Sequence, residues 1–457
     1  MRNKKSLNMI YRLISVGLLS LCCTGVFAQG LSLKDCMEYA LEKSAKLRIQ
    51  EADVDDARLA RRDAILDAFT PEISGGTYLY NKFGRNEDPE TNTYSNYTSF
   101  TNGYQISGGI TLFNGFEAVN NIKISKTSLM MGIEQEQKAK DELCLATMEA
   151  FSNVVYYTKL SEIVRGQVEN LEAALKLSRM QEELGQKGYA DVVQTEADLA
   201  DMQYKLILAQ NNRADALITL KDLMFWEEDK ELEINMETIE ERYSLGEYDS
   251  EEQCRAALDF ALAHNPAVLI AKGKMDNAKL DLRTAKWKFA PSISLYGGVS
   301  SSYFTYPGRE GYTPKPFGDQ LNGNLGEYVQ LSISIPIYNK LQRHSNLRKK
   351  QNSYKRAEAE YASALRQVSS EVERAVQDRD GAGSALNQAE RRERVQEEVW
   401  SLNVKKFEQG LISAIDFRKA SDELLSAKAE RLNAMLKWQL KRSVVKYYNG
   451  ISYIDQF

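Results

Sequence analysis

Hydrophobic and polar positions along this chain follow two periods, and the switch between them occurs twice at the same kind of junction. At Phe69-Thr70-Pro71-Glu72-Ile73-Ser74-Gly75-Gly76 a charged, Ala-rich helical pattern gives way to a short alternating one. Phe289-Ala290-Pro291-Ser292-Ile293-Ser294-Leu295-Tyr296-Gly297-Gly298 repeats the event. Proline has no N–H to give a helix or a ladder and pushes its predecessor out of the helical region, so Pro71 and Pro291 mark helix-to-strand junctions. Upstream, Ala40 aligns with Ala261 and Ser44 with Asn265 at one offset, and the prolines follow after a single-residue slip. Ordered self-similarity of this kind predicts two copies of one structural unit.

Period-two alternation predicts four strands, over residues 73–80, 104–113, 293–302 and 328–338. In the last, Val329, Leu331, Ile333, Ile335 and Ile337 share one face, and Gln330, Ser332 and Ser334 share the other. In the second, Tyr104, Ile106, Ile110 and Leu112 oppose Gln105, Ser107 and Thr111. One greasy face and one wet face suit a membrane sheet and the half-buried strands of a soluble sandwich equally well. Polar, turn-rich loops over 81–103 and 303–327 join the strands of each pair, as exposed barrel loops or ordinary surface loops do.

Helical periodicity fills the rest. Residues 31–69 suit one amphipathic helix, matched in the second copy by 261–268 and 275–288. Phe113-Asn114-Gly115 opens a helical pattern reaching Leu184, and Tyr338-Asn339-Lys340 opens another reaching Gln409. Each is about 70 residues, or about 100 Å of helix at 1.5 Å per residue. Val164, Val168, Leu171 and Leu175, and Tyr354, Ala357, Tyr361, Ala364 and Val368, recur at three and four, the narrow seam of a coiled coil. The remaining faces are crowded with Glu, Lys, Arg and Gln and read as solvated. Both helices break at glycine-bearing stretches, 185–191 and 409–416, before periodicity resumes with Leu199, Met202, Leu206 and Ala209, and with Ala420, Leu424 and Ala427. Glycine ends one helix and Asp or Ser starts the next, which predicts two helical hairpins, with Gly188 and Gly410 as helix C-caps.

Composition sharpens this picture. The eight prolines leave two long proline-free runs, 90–265 and 337–457, where long helices meet no breaker. Arg2, Lys4, Lys5 and Arg12, the apolar stretch 13–23 and Val26-Phe27-Ala28 form a secretory signal pattern, with Cys22 or Cys23 as the alternative lipidated N-terminus. Removal of residues 1–28 takes away four positive charges and no acid, moving the formal net charge from -5 to -9. That balance disfavours a nucleic-acid partner. Cys36, Cys144 and Cys254 lack zinc-like spacing and read as packed small hydrophobes. After the signal no segment has the run of about 18 apolar residues that a spanning helix needs. The expected organisation is a signal peptide at 1–28, a first repeat at 29–224, a linker or equatorial element at 225–250, a second repeat at 251–448 and a C-terminal tail at 449–457.

Four strands pose a closure problem. A sheet in lipid cannot leave edge groups unpaired, and single-chain membrane barrels start at about eight strands. Three copies would supply twelve, so the expected fold is mainly α, a duplicated helix-strand-strand-helix unit assembling as a trimeric 12-stranded membrane β-barrel continued by a long α-helical coiled-coil barrel.

The duplicated helix-Pro-strand order, the two strand-to-helix transitions, Asn265-Pro266, and Gly410, Ser413, Asp416-Phe417 and Ala420 ahead of a return helix together resemble the TolC-type outer-membrane efflux family, over almost the whole chain after the signal. The resemblance implies a homotrimeric channel-tunnel in outer-membrane lipid. It also implies a periplasmic adaptor (membrane fusion) protein and an inner-membrane pump of RND or ABC type as partners, with cargo passing unchanged. It places Gly188, Gly410, Asp191 and Ser413 at periplasmic tips contacting the adaptor. Gln330, Ser332 and Ser334 would face the lumen, and Val329, Leu331, Ile333 and Ile335 would face lipid. Of the family's acidic aperture pair, Asp416 matches the first position while Lys419 replaces the second, so a threefold ring of Asp416 carboxylates is what remains. The plainer reading of Asp416 is a helix N-terminal carboxylate favoured by the helix dipole.

Two other classes compete. For an enzyme, the two histidines, His264 and His344, stand alone, without nucleophile motif, metal spacing or phosphate-cradling loop, so neither catalysis nor a cofactor is expected. An exported trimeric coiled-coil stalk or adhesin would explain export and seams, yet it needs no duplicated strand pairs.

Overall fold

Ser32 opens the first helix with a capping box: its Oγ accepts from the Asp35 N–H while its own N–H donates to Asp35 Oδ2 at 2.9 Å. In the computed structural model, which describes residues 30–87, 92–96, 98–227, 230–236 and 250–457, that helix is α1 (Leu33–Lys43), followed by α2 (Ala45–Phe69). The expected signal peptide at 1–28 lies outside the described residues, as does 237–249 of the expected linker. The single helix expected over 31–69 is two, because Ser44, 2% exposed, leaves the helical region at ψ 122. Its counterpart Asn265 separates α5 (Ser250–His264) from α6 (Pro266–Trp287), where proline takes a first helical position that needs no donor.

The chain divides into two compact units, each drawing on both repeats. One comprises residues 50–136 and 266–365 and holds the main sheet; the other comprises the segments up to 49, 137–265 and 366–457.

In the sheet unit four antiparallel strands lie in the order β1 (Glu72–Lys82), β4 (Ser99–Asn114), β5 (Ser292–Thr305), β6 (Gly326–Ser334). The strand expected at 328–338 ends at Ser334, two residues before Pro336, which has no N–H for the ladder; Ile335 and Ile337 follow outside the strand. The loops are more ordered than their composition suggests. A small hairpin, β2 (Arg85–Glu87) with β3 (Tyr94–Asn96), stands in the first, and α7 (Phe317–Gly323) in the second. Beyond Gly326 nothing from β6 faces the end of β5, and Gln320 fills that place: Phe304 N–H donates to its Oε1 and its Nε2 donates to the Phe304 carbonyl, each at 3.0 Å. Asn324 Nδ2 donates to the Ser302 carbonyl at 2.7 Å, so side-chain amides extend the ladder past the last paired strand.

Each strand-to-helix junction turns on two consecutive left-handed residues, Gly115 and Phe116 in one, Lys340 and Leu341 in the other. They lead into α3 (Glu117–Glu183) and α8 (Gln342–Glu408), the two long helices expected. In the helical unit these return as α4 (Tyr189–Met224) and α9 (Ala414–Tyr448). The seam residues Val164, Val168, Leu171 and Leu175 are all buried, as are Met202, Ala209, Ala420, Leu424 and Ala427. On α8, Ala357 and Val368 are buried while Tyr354, Tyr361 and Ala364 are half-buried. The unit's larger core joins Met37, Phe151, Val154, Leu220, Met224, Leu386 and Trp438. Cys36 and Cys144 sit in it as free thiols, each pushed up to about 12 by burial, which bears out their reading as packed hydrophobes. Leu31 forms a parallel bridge with Ile234, tying the start of α1 to the linker. The tail folds back: Tyr453 stacks on Tyr447 at 4.8 Å, and the Tyr447 hydroxyl donates to Asp141 Oδ2 at 2.7 Å.

Candidate functional site: the hairpin tips and the sheet wall

The two tips share one backbone design. In the first, Gly185 adopts φ +70 and the Gln186 N–H donates back to the Gln181 carbonyl at 2.8 Å; in the second, Gly410 adopts φ +69 and the Leu411 N–H donates to the Lys406 carbonyl at 2.8 Å. Both are Schellman closures, with glycine in the left-handed conformation that other residues resist. Gly188 is therefore not the C-cap expected of it. It is the N-cap of α4, at φ -84 and ψ 155, and its counterpart is Ser413, N-cap of α9 at φ -74 and ψ 162. Asp191 and Asp416 both occupy the third helical position.

Asp416 is exposed, and its Oδ2 accepts from the Ser413 hydroxyl at 2.8 Å while its N–H donates to Ser413 Oγ at 3.2 Å. The helix N-terminal reading of this carboxylate accordingly describes its surroundings. Lys419 is exposed one turn on. Leu184, Tyr189, Leu411 and Ile415 are between 66% and 71% exposed, so each tip carries apolar side chains into solvent.

Behind them an aromatic column joins the hairpins. Phe417 stacks on Phe407 at 4.2 Å and meets Trp400 at 4.9 Å, and Lys187 Nζ from the first tip rests 3.6 Å above the Phe407 ring. Shut from water and without a hydrogen-bond acceptor among the described residues, the Lys187 amine is pushed below the usual lysine value by burial, against the pull of Asp191. Gln181 Nε2 donates across to the Glu408 carbonyl at 3.1 Å. One stage further along, Arg418 Nη1 donates to buried Asp198 at 3.1 Å, and Lys205 bridges Asp201 and Asp422, each at 3.1 Å. Burial holds the Asp198 carboxyl above its ordinary value, outweighing Gln194 and Arg418, which lower it.

On the sheet, register decides which residues share a face. Ile333 pairs with Ile293, Leu331 with Leu295 and Val329 with Gly297; Leu295 pairs onward with Ile110, Val299 with Ile106, and Gly108 with Ile73. Cross-strand partners point to the same side, so one apolar face runs across all four strands. Ser332, Ser294 and Thr111 align on the opposite face, as do Gln330, Tyr296 and Gly109. Val329 is 82% exposed, Ile73 71% and Leu331 59%, so there the apolar face has no covering layer among the described residues, while at the loop end Phe317 of α7 packs on Tyr104 and Tyr303. That is the geometry of a single-layer membrane sheet rather than a sandwich. Among the described residues no helix is long and apolar enough to cross a membrane.

Sequence reading missed Gly185, the Lys187 and Phe407 contact, and the Asp198 to Arg418 pair. The first was within reach, since Gly185 and Gly188 have the same spacing as Gly410 and Ser413. The others depend on how two hairpins meet, which no local pattern encodes. The histidines sit against aromatic rings, His264 on Phe260 at 4.3 Å and His344 on Phe289 at 5.1 Å.

Comparison with known proteins agrees with this geometry. The chain is 16% identical to CusC, whose crystal structures concern transmembrane channel formation, with a TM-score of 0.77 over 92% of each chain. It is 14% identical to the outer membrane protein VceC of Vibrio cholerae, with a TM-score of 0.75 over 93% of this chain and 96% of that one. For the Campylobacter jejuni CmeC outer membrane channel the identity is 16% and the TM-score 0.74, over 93% and 85%. In sequence it is 23% identical to the alkaline protease secretion protein AprF of Pseudomonas aeruginosa over 188 residues, 41% of this chain and 38% of AprF, so the match spans well under half of that relative. The profile of outer membrane efflux proteins matches residues 37–224 and 257–444, one stretch in each repeat. The chain belongs to the outer membrane efflux protein family, the TolC-type channels, and is an outer-membrane transport protein with a periplasmic helical extension.

Proposed function

We propose that three copies of this chain form a passive export duct, coupled through a periplasmic adaptor to an inner-membrane pump of the RND or ABC type. The observation that carries the reading is the sheet: among the described residues its apolar face is bare around Ile73, Val329 and Leu331, and its outer strands, β1 and β6, each lack a partner on one side. Lipid cannot satisfy those free edges, and three sheets joined edge to edge would close a ring of twelve strands. In that ring Val329, Leu331, Ile333 and Ile335 meet lipid, while Gln330, Ser332 and Ser334 line the lumen. The tips at Gly188, Asp191, Gly410 and Ser413 take the adaptor, which the exposed Leu184, Tyr189, Leu411 and Ile415 favour. Asp416, repeated by threefold symmetry, forms a carboxylate ring at the aperture, where mutual repulsion and cation attraction compete. Cargo passes without covalent change. AprF is by name a secretion protein, and a polypeptide needs the same uninterrupted wall as a small solute.

The test is reconstitution of the purified protein in planar bilayers, with chemical crosslinking to count subunits. Trimers that conduct, with conductance altered by Asp416→Ala, are expected. Conducting trimers indifferent to that change would remove the aperture role alone, and trimers that never insert would favour an exported stalk.

A further inference from the structure

The polar face of the sheet carries an ordered set of tyrosines that a wet wall does not by itself require. Each adjacent strand pair places one tyrosine directly opposite a glycine: Tyr78 opposite Gly103, Tyr296 opposite Gly109, and Tyr328 opposite Gly298. In each pair the ring occupies the space a side chain on the glycine would need. The nearest Tyr296 carbon lies 2.5 Å from where a Cβ on Gly109 would stand, the nearest Tyr328 carbon 2.8 Å from that place on Gly298, and the Tyr78 ring covers Gly103 in the same way. Aromatic cover of a cross-strand glycine stabilises the sheet and accounts for one face of each ring. The other face is open, with Tyr78 50%, Tyr296 44% and Tyr328 47% exposed. Tyr80 extends the row, its ring near-parallel to that of Tyr78 with 6.0 Å between centroids and 17° between the planes.

Charge is the second observation. The residues that register places on this face are Ser74, Gly76, Gln105, Ser107, Thr111 and their cross-strand partners, and between Glu72 and Lys82 at the two ends of β1 none carries a formal charge. A wall of this kind offers no field with which to sort ions. What it offers are flat, uncharged aromatic faces held against the backbone.

We infer that Tyr78, Tyr296 and Tyr328 are cargo-contacting residues: an aromatic track on the lumen wall that takes uncharged aromatic groups of the cargo in brief, ring-to-ring contacts. The inference rests on the lumen assignment proposed above. Ring contacts are individually weak, which suits handing cargo from one tyrosine to the next rather than retaining it. Lying flat, the rings also leave the bore unobstructed.

Two neutral probes of similar size, N-acetyltryptophanamide and N-acetylleucinamide, test this in the reconstituted channel when added on the loop side. The tryptophan probe is expected to interrupt the open current with a residence about three-fold longer than the leucine probe, the scale of one aromatic contact. The combined variant Tyr78→Leu, Tyr296→Leu, Tyr328→Leu keeps apolar cover over the glycines and should abolish the difference while trimers and open conductance persist. The corresponding Phe variant should retain it. If the triple Leu variant fails to assemble, the three single Leu variants are compared, and each should shorten the tryptophan residence. Equal residence of the probes in the unaltered channel, or a difference untouched by every Leu variant, overturns the track alone. An unaltered trimer that carries no current overturns the lumen assignment and the track with it.

Discussion

The two hairpin tips are the same turn built from different residues. Gly185 and Gly410 close the incoming helix in the same left-handed conformation, and Gly188 and Ser413 open the return helix in the same extended one. Beyond the backbone they diverge. The first tip has no side-chain cap and sends Lys187 onto Phe407; the second has a cap in Ser413 and buries Phe417 against Phe407 and Trp400. Duplication preserved the turn, and the roles then separated: the second tip supplies the anchor, and the first closes over it.

The largest effect should come from the anchor. Phe417 is 4% exposed, and Val192 at the matching position of the first tip is 5% exposed, so burial is alike and volume is not. Phe417→Ala should cost about 3 to 5 kcal/mol, against about 1.5 kcal/mol for Val192→Ala. Thermal unfolding of the helical signal in detergent measures both, and equal losses would contradict a one-sided anchor.

Next in size is the Arg418 strap. Asp198 is buried and Arg418 nearly half exposed, so removing the arginine leaves an ionised carboxylate without its cation, a loss of about 1.5 to 3 kcal/mol at neutral pH. The pH dependence has a definite sign. Because burial raises the folded Asp198 value, the stability linked to this group is fully present below the ordinary carboxylate value and lost as pH rises through the raised one. Arg418→Ala should raise that value further and extend the sensitive window upward. Its cost should therefore be greatest at neutral pH and fade on acidification. Unfolding midpoints between pH 4 and pH 8 would show it, and a pH-independent loss would assign Arg418 to packing instead. Asp198→Asn should flatten the profile.

These contrasts also mark where sequence reading stopped. The junctions at Pro71 and Pro291, the long helices, their glycine breaks and the faces of residues 329–333 were legible because each is a local rule of period or dihedral. Residues 31–69 misled, because Ser44 breaks the helix with no proline of its own and only its partner Asn265, followed by Pro266, announces the break. Gln320 was hidden for another reason. Its loop composition resembles any surface loop, and its function is to supply amide groups to one free strand end. Lys187 on Phe407 and Arg418 on Asp198 join residues more than two hundred positions apart, and only the packed hairpins bring them together.

Glycine position gives a finer test of the shared turn. Valine at 185 or 410 must enter the left-handed region and should cost about 1 to 2 kcal/mol at either tip, whereas valine at 188, in extended backbone, escapes that strain. Gly410→Val is further expected to weaken pump-coupled efflux in cells while trimers still form. Efflux at the normal level would leave Gly410 a structural cap only.

The smallest effect addresses the caps themselves. Ser413 Oγ accepts the Asp416 N–H, a bond that Gly188 cannot make for Asp191, whose N–H instead reaches the Gly188 carbonyl at 3.0 Å. Ser413→Ala should therefore cost about 1 kcal/mol, and Gly188→Ser should gain a few tenths, since serine and glycine differ little at this position. Because the serine would sit at the same φ and ψ as Ser413, the gain needs no backbone movement. Hydrogen exchange at the Asp191 and Asp416 amides reads each cap separately. Protection should rise at Asp191 on adding the serine and fall at Asp416 on removing it. An Asp191 amide unchanged by Gly188→Ser would mean that the first tip is held by Lys187 and Phe407 rather than by its helix start, and the two tips would then differ in what secures them as well as in what they anchor.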